Sequence, residues 1–228
     1  MKGPRPENFD AVFDEEYGLW VRPQCDDIAI VKECRRYYAA VPVPAGATVL
    51  DLGAHIGAGI PIWWGKGAGR CIAVEPEPRN VDLLEQNAAQ FSLYTTVMAA
   101  AVVGGDGMSS VQFYVTDGKG QWGHGLRKNP NRSRAVTVMA IGLSRLLSEY
   151  APTVLKCDIE GGEYGLPELH NLPGYVRALA LEVHVGALDS EWRSLGRHLL
   201  ASIGDQGFQP VKVGRESKAA TINGVWAR

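Results

Sequence analysis

Apolar positions along this chain fall into short strand-like runs separated by longer stretches with helical periodicity. The runs at 48–52, 71–75, 94–102, 153–159 and 177–183 have the length and branched content of buried strands. Between them, Ile28, Val31, Cys34 and Tyr38 recur near helical spacing and predict a helix that Asp26 or Asp27 would cap. Val81, Leu84 and Ala88 predict another from about 79 to 90. Leu188, Trp192, Leu195 and Leu199 predict a third over 189–203, capped by Asp189. Shorter helices are expected at 58–65, where Pro61 is tolerated in the first turn, and at 142–150. Residues 17–22, 111–115 and 135–139 read as further strands, and 208–213 with 220–227 as a terminal hairpin. Within 153–159, period-two alternation puts Lys156, Asp158 and Glu160 on one face.

Alternating β and α segments with apolar strands predict an α/β, Rossmann-like fold. Its sheet should be mostly parallel and seven-stranded, with helices on both faces and an antiparallel C-terminal strand. Residues 1–45 form an N-terminal arm, strand and helical cover, and 46–228 the main domain. Met1–Glu16 reads as a loosely docked arm. The alternation breaks at 104–134, a polar, Gly-rich segment carrying Trp122, His124 and the cations Arg127, Lys128, Arg132 and Arg134.

Composition narrows the function classes. At 228 residues and 46% hydrophobic content the chain suits one full core. A net charge of −2 gives no global pull towards nucleic acid. No apolar run reaches membrane-spanning length, and the polar N-terminus lacks a signal peptide's apolar region. Cys25, Cys34, Cys71 and Cys157 form no C-x-x-C pair, so a reduced, cytoplasmic protein is expected. The oligomeric state is open, with a homodimer among the options.

The chemistry starts at Val49-Leu-Asp51-Leu-Gly53-Ala-His55-Ile-Gly57-Ala-Gly59, a strand, a glycine turn and a helix start. Such a corner binds nucleotides. Glu75 closes the next apolar run, 22 residues beyond Gly53, where an acid can accept two ribose hydroxyls. The corner resembles motif I of the class I S-adenosylmethionine-dependent methyltransferases. Downstream, Lys156-Cys-Asp158-Ile-Glu160-Gly-Gly-Glu163 is similar to the K-x-D-x-E-G-x-E signature of the FkbM family. Glu75-Pro76-x-Pro78-x-Asn80, Leu84-x-x-Asn87 and Glu182-Val-His184 match it too, over roughly residues 25–185. His55 stands where that family usually has asparagine.

The resemblance implies S-adenosylmethionine as cofactor and methylation of a hydroxyl on a small molecule, a natural product or sugar. Gly53 and Gly57 would admit the cofactor, Asp51 would orient the loop or the methionine amine, and Glu75 would grip the ribose. Pro76, Ala101 and Asp158 would complete that side. His55 would meet the methionine carboxylate, face the substrate, or simply fill space. Glu160, Glu163 and His184 are the candidate bases, with a neutral His184 first. Trp122, His124 and Glu182 would meet the acceptor. A magnesium ion on Asp158, Glu160 and Glu182 is an alternative way to acidify a hydroxyl. An N-methyltransferase on an amine or peptide and a non-catalytic cofactor-binding module remain as other readings. An NAD-dependent oxidoreductase is disfavoured because His55 replaces the middle glycine of G-x-G-x-x-G.

Overall fold

The computed structural model describes residues 10–91, 94–116, 124–126, 128, 134–184, 190–214 and 221–228, apart from the side chains of Ser190 and Trp192. Trp122, Arg127, Arg132, Leu188 and Asp189 lie outside these residues. No helix among the described residues is long and apolar enough to cross a membrane.

The chain opens with β1 (Val12–Asp14) and β2 (Leu19–Val21), an antiparallel hairpin, so part of the expected arm is ordered structure with Ala11 and Leu19 buried. Then come α1 (Asp27–Tyr38), β3 (Thr48–Leu52), α2 (Ile60–Gly65), β4 (Arg70–Glu75) and α3 (Pro78–Ala88). They are followed by β5 (Thr95–Ala99), β6 (Ala101–Val103), β7 (Ser110–Val115), β8 (Arg134–Gly142), α4 (Leu143–Tyr150) and β9 (Val154–Cys157). The series ends with β10 (Ala178–His184), α5 (Ser190–Asp205), β11 (Gln209–Val213) and β12 (Thr221–Ala227).

Seven strands form one sheet in the order β11-β12-β10-β9-β3-β4-β5. The five from β10 to β5 are parallel, and β12 runs antiparallel between β10 and β11, as the terminal hairpin predicted. Leu50, Leu52, Leu155 and Cys157 face α4 and α5, packing with Leu143, Leu146, Leu199 and Ile203. Val49, Cys71 and Val154 face the other way, packing with Tyr38, Ile60, Trp63 and Leu84. Covered on both faces, these strands need apolar residues at successive positions, which is why they read as runs. Each such Leu or Ile contributes about 1.5–3 kcal/mol on burial. Adjacent Trp63 and Trp64 part company, one fully buried and the other 54% exposed, since neighbouring helical residues point to different sides.

Two expected strands end differently. The run 94–102 is two strands in two sheets: after Ala99 the chain leaves β4, and β6 pairs in parallel with the end of β8 in a separate three-stranded sheet. Ala100 is the joint, its N–H shared between the carbonyls of Glu75 and Met98. The run 153–159 stops at Cys157, because Glu160 and Gly161 both take positive φ, 57° and 90°. The simple alternation of Lys156, Asp158 and Glu160 therefore fails: the last two belong to a turn. The start of α1 also differs. Asp26 makes no side-chain cap bond, while Asp27 is buried and takes both Nε and Nη2 of Arg22. Arg22 Nη2 also donates to Asn80 at 2.8 Å, which ties the N-terminal segment to α3.

Candidate functional site

A cavity of about 570 Å³ opens where α1 lies across the carboxyl ends of the parallel strands. Ligands of open α/β sheets bind at this edge. Two groups of side chains line it, one beside β3 and β4, the other beside β9, β10 and β12.

On the first side, Gly53 has φ +75°, and a Cβ there would lie 1.8 Å from the carbonyl oxygen of Asp158. Its missing side chain lets the turn after β9 close against the loop, and its backbone borders the cavity. Gly57, also at positive φ, packs against Leu84 and Ile60 and is not on the cavity wall, which corrects the role expected for it. His55 is a non-glycine residue at φ +52°, a conformation that asparagine and histidine tolerate better than most. Its N–H donates to Glu75 Oε2 at 2.9 Å, and Glu77 N–H donates to Glu75 Oε1 at 2.9 Å. Burial pushes Glu75 up to about 7 despite these two bonds. Pro76, Ala100, Ala101 and Val102 line an apolar slot beside it.

Asp51 is 1% exposed and is not on the cavity wall, so of its two expected roles this placement suits orienting the loop and not meeting the methionine amine. It accepts Trp63 Nε1–H at 2.8 Å and lies 3.2 Å from Lys156 Nζ. Burial alone would lower the Lys156 pKa, but Asp51 and then Asp158 hold it above the ordinary lysine value. The Lys156 ammonium also donates to the carbonyls of Leu52 and Gly53. Asp51 and Lys156 thus brace the glycine loop from behind, and the role of Lys156 was missed.

On the second side, Asp158, Glu160, Glu182 and His184 face the cavity together. His184 Nε2 is 3.3 Å from Glu160 and Nδ1 is 3.2 Å from Glu163. Burial works against an imidazolium here, but the Glu163 and Glu160 carboxylates outweigh it and hold the ring well above its usual pKa. The two carboxylates therefore favour a charged His184 over the neutral ring expected from the sequence. Glu163 is fully buried behind the wall, where Oε1 also accepts Ile159 N–H at 3.1 Å, so it holds His184 and the turn in place and does not face the cavity. Tyr164 donates its hydroxyl to the His184 carbonyl. Burial, followed by the charge of Asp158, pushes Glu182 up to about 9.

His124 also reaches the cavity, buried, its Nδ1 accepting Thr116 N–H at 3.0 Å. Sequence reasoning missed Glu33 and Asn223. Glu33 stands on the polar face of α1, and only the way that helix crosses the sheet brings it to the cavity.

The metal trio expected from sequence is not the one that converges. Among the described residues, Asp158, Glu160 and His184 offer ligand atoms within 4.8 Å of one another, and Glu182 is outside that set. Both His184 nitrogens are taken by carboxylates, and a histidine ligand departs from the all-oxygen shell that suits magnesium. The donor set does not fit that ion.

The methyltransferase FkbM domain family matches this sequence over residues 51–210. The chain belongs to that family. No curated protein matches it. The methyltransferase FkbM of Methylobacillus flagellatus KT shares its fold with TM-score 0.50 at 16% identity, covering 88% of this chain and 50% of that one. This FkbM-family chain therefore spans half the length of that protein. Precorrin-6y C5,15-methyltransferase of Geobacter metallireducens GS-15 gives TM-score 0.49 at 11% identity over 95% and 96% of the two chains. TrmK of M. capricolum, solved with S-adenosylhomocysteine, gives 0.46 at 9% identity over 87% and 67%.

With the family comes S-adenosylmethionine as cofactor, and the first side of the cavity, together with Asp158 from the second, fits it. Glu75 offers a buried carboxylate at the wall, the slot beside it is apolar, and Asp158 Oδ1 is sealed from water with no hydrogen-bond partner among the described residues. A diol, a purine and an ammonium group are what such a set would satisfy.

Proposed function

We propose that the protein methylates a hydroxyl group of a small molecule, a natural product or sugar, leaving S-adenosylhomocysteine. Bound S-adenosylmethionine supplies an electrophilic methyl carbon on a positively charged sulfur. Glu75 holds the ribose hydroxyls, Asp158 the methionine ammonium, and Pro76 and Ala101 the base. The acceptor oxygen must lie in line with the carbon–sulfur bond and lose its proton as the new oxygen–carbon bond forms and the bonding pair returns to sulfur. Glu160 takes that proton, while His184 and Glu163 fix the Glu160 carboxylate in place and keep a positive charge beside it.

The observation that carries this reading is the cavity-facing Glu160 carboxylate, 3.3 Å from His184 Nε2, with Glu163 clamping the opposite ring nitrogen. A wall built to accept a proton suits an alcohol, the acceptor that has to lose one. Among the described residues, no lysine or arginine lines the cavity, which disfavours a phosphate backbone. The test is calorimetric titration with S-adenosylmethionine, S-adenosylhomocysteine and NAD. Micromolar binding of the first two and not the third is expected. Binding of NAD alone would defeat the assignment.

A further inference from the structure

Carboxylates outnumber the His184 imidazolium around the cavity. Asp26, Glu33, Glu75, Asp158, Glu160 and Glu182 border it. Glu75 and Asp158 belong to the cofactor half and Glu160 to proton transfer. That leaves Glu33 and Glu182 facing each other across the mouth, with no catalytic task. The same amide nitrogen, Asn223 Nδ2, donates to Glu33 Oε1 and to Glu182 Oε1 at 3.3 Å each, so the two carboxylates converge on one place. One neutral amide hydrogen for each acid leaves most of their accepting capacity unused. Asp26, just before α1, adds a third acid to the rim, and Tyr37 and Tyr38 supply aromatic walls beside it.

We propose that the acceptor carries an ammonium group near its reacting hydroxyl, seated between Glu33 of α1 and Glu182 of β10; this rests on the methyltransferase reading above. The acceptor class is an amino sugar or aminocyclitol, a small polyol with at least one basic nitrogen. The cavity supplies the shape, and the paired acids supply the charge complement once the arriving ammonium displaces the proton that burial favours on Glu182. The same contacts select the atom that reacts. An amine held as ammonium has no lone pair to attack with, so the carboxylates that seat it leave the hydroxyl as the nucleophile. The methyl goes to oxygen, the oxygen's proton goes to Glu160, and the ammonium keeps its proton throughout.

The test uses the intact protein saturated with S-adenosylhomocysteine, whose own binding isotherm is recorded first and checks the underlying reading separately. Glucosamine, galactosamine and 2-deoxystreptamine are then titrated, each against its N-acetylated form, which keeps the hydroxyls and loses the charge. At least one amine is expected to bind about tenfold or more tightly than its acetylated partner, the scale of one charge-assisted hydrogen bond. That preference should shrink in Glu33→Gln, reverse in Glu33→Arg, and weaken as salt rises. Equal binding of every pair, or no binding at all while S-adenosylhomocysteine binds normally, overturns the proposal. So does a methyl group found on nitrogen by mass spectrometry after turnover with S-adenosylmethionine. Magnesium that binds the protein alone and abolishes the amine preference would also overturn it, by giving the acids a metal as their occupant.

Discussion

The Lys156 ammonium lies 3.2 Å from the Asp51 carboxylate across two neighbouring parallel strands, and neither side chain is more than 4% exposed. The pair stands behind the glycine loop and fixes it through the carbonyls of Leu52 and Gly53. Lys156→Met would leave Asp51 charged and buried without its partner. Urea unfolding should show a loss of about 3–5 kcal/mol, with most of it regained when Asp51→Leu is added. A loss below about 1 kcal/mol would mean that the pair does not hold the loop.

Gly53 and Gly105 share a positive φ, +75° and +73°, but only Gly53 is crowded. Gly105→Ala should cost about 1–2 kcal/mol, the strain of a left-handed residue alone. Gly53→Ala must also push the Asp158 carbonyl away, so a loss above about 3 kcal/mol is expected, together with weaker cofactor binding. Equal losses in the two variants would show that the turn after β9 yields easily.

Glu75 sets a pH dependence for cofactor binding. Burial raises it to about 7, so below that pH the free protein holds a proton there. A ligand that donates two hydroxyls prefers the carboxylate, so binding below pH 7 must expel the proton. Affinity for S-adenosylhomocysteine should therefore rise with pH up to about 7 and level off above it, by at most tenfold per unit. Calorimetry at pH 6 in buffers of different ionisation enthalpy should register proton release. Glu75→Gln should remove both effects and weaken binding by about 1–3 kcal/mol.

At the catalytic wall, Glu160→Gln should cut turnover by about a hundredfold or more while cofactor affinity holds. Glu163→Gln should act more mildly, since it acts on Glu160 through His184. Single-turnover rates beside S-adenosylhomocysteine isotherms separate the two effects. Unchanged turnover in Glu160→Gln would remove it as the proton acceptor.

Much of the first side of the cavity was legible in the sequence because its residues are close together along it. The glycine corner, Glu75 at the end of its run and the strand bearing Lys156 all obey local rules of periodicity and turn chemistry. What escaped depends on partners far along the chain. The break at Ala100 is invisible in a continuous apolar run, because both halves are strands and only the pairing partner changes. Asp158 and Glu160 continue the alternation of β9 on paper, yet the close approach of Gly53 and the positive φ of Glu160 turn them out of the strand. Glu33 lies off the apolar stripe of its helix, and its neighbour at the cavity, Asn223, is 190 positions away.

That last distance has a consequence for how the protein comes together. The proposed nucleoside end of the site, with Glu75, Pro76 and Ala101, draws on residues 53–102, so its loops close early and at small entropic cost, while Asp158 joins it from farther along the chain. The mouth needs a helix before residue 39 to meet a strand after residue 220, the kind of distant pairing that slows folding. A partly assembled chain would then recognise the nucleoside before it could recognise anything else. The distant half is also the one that lineages could redraw without disturbing the other, so new acceptors could arise on an inherited donor site.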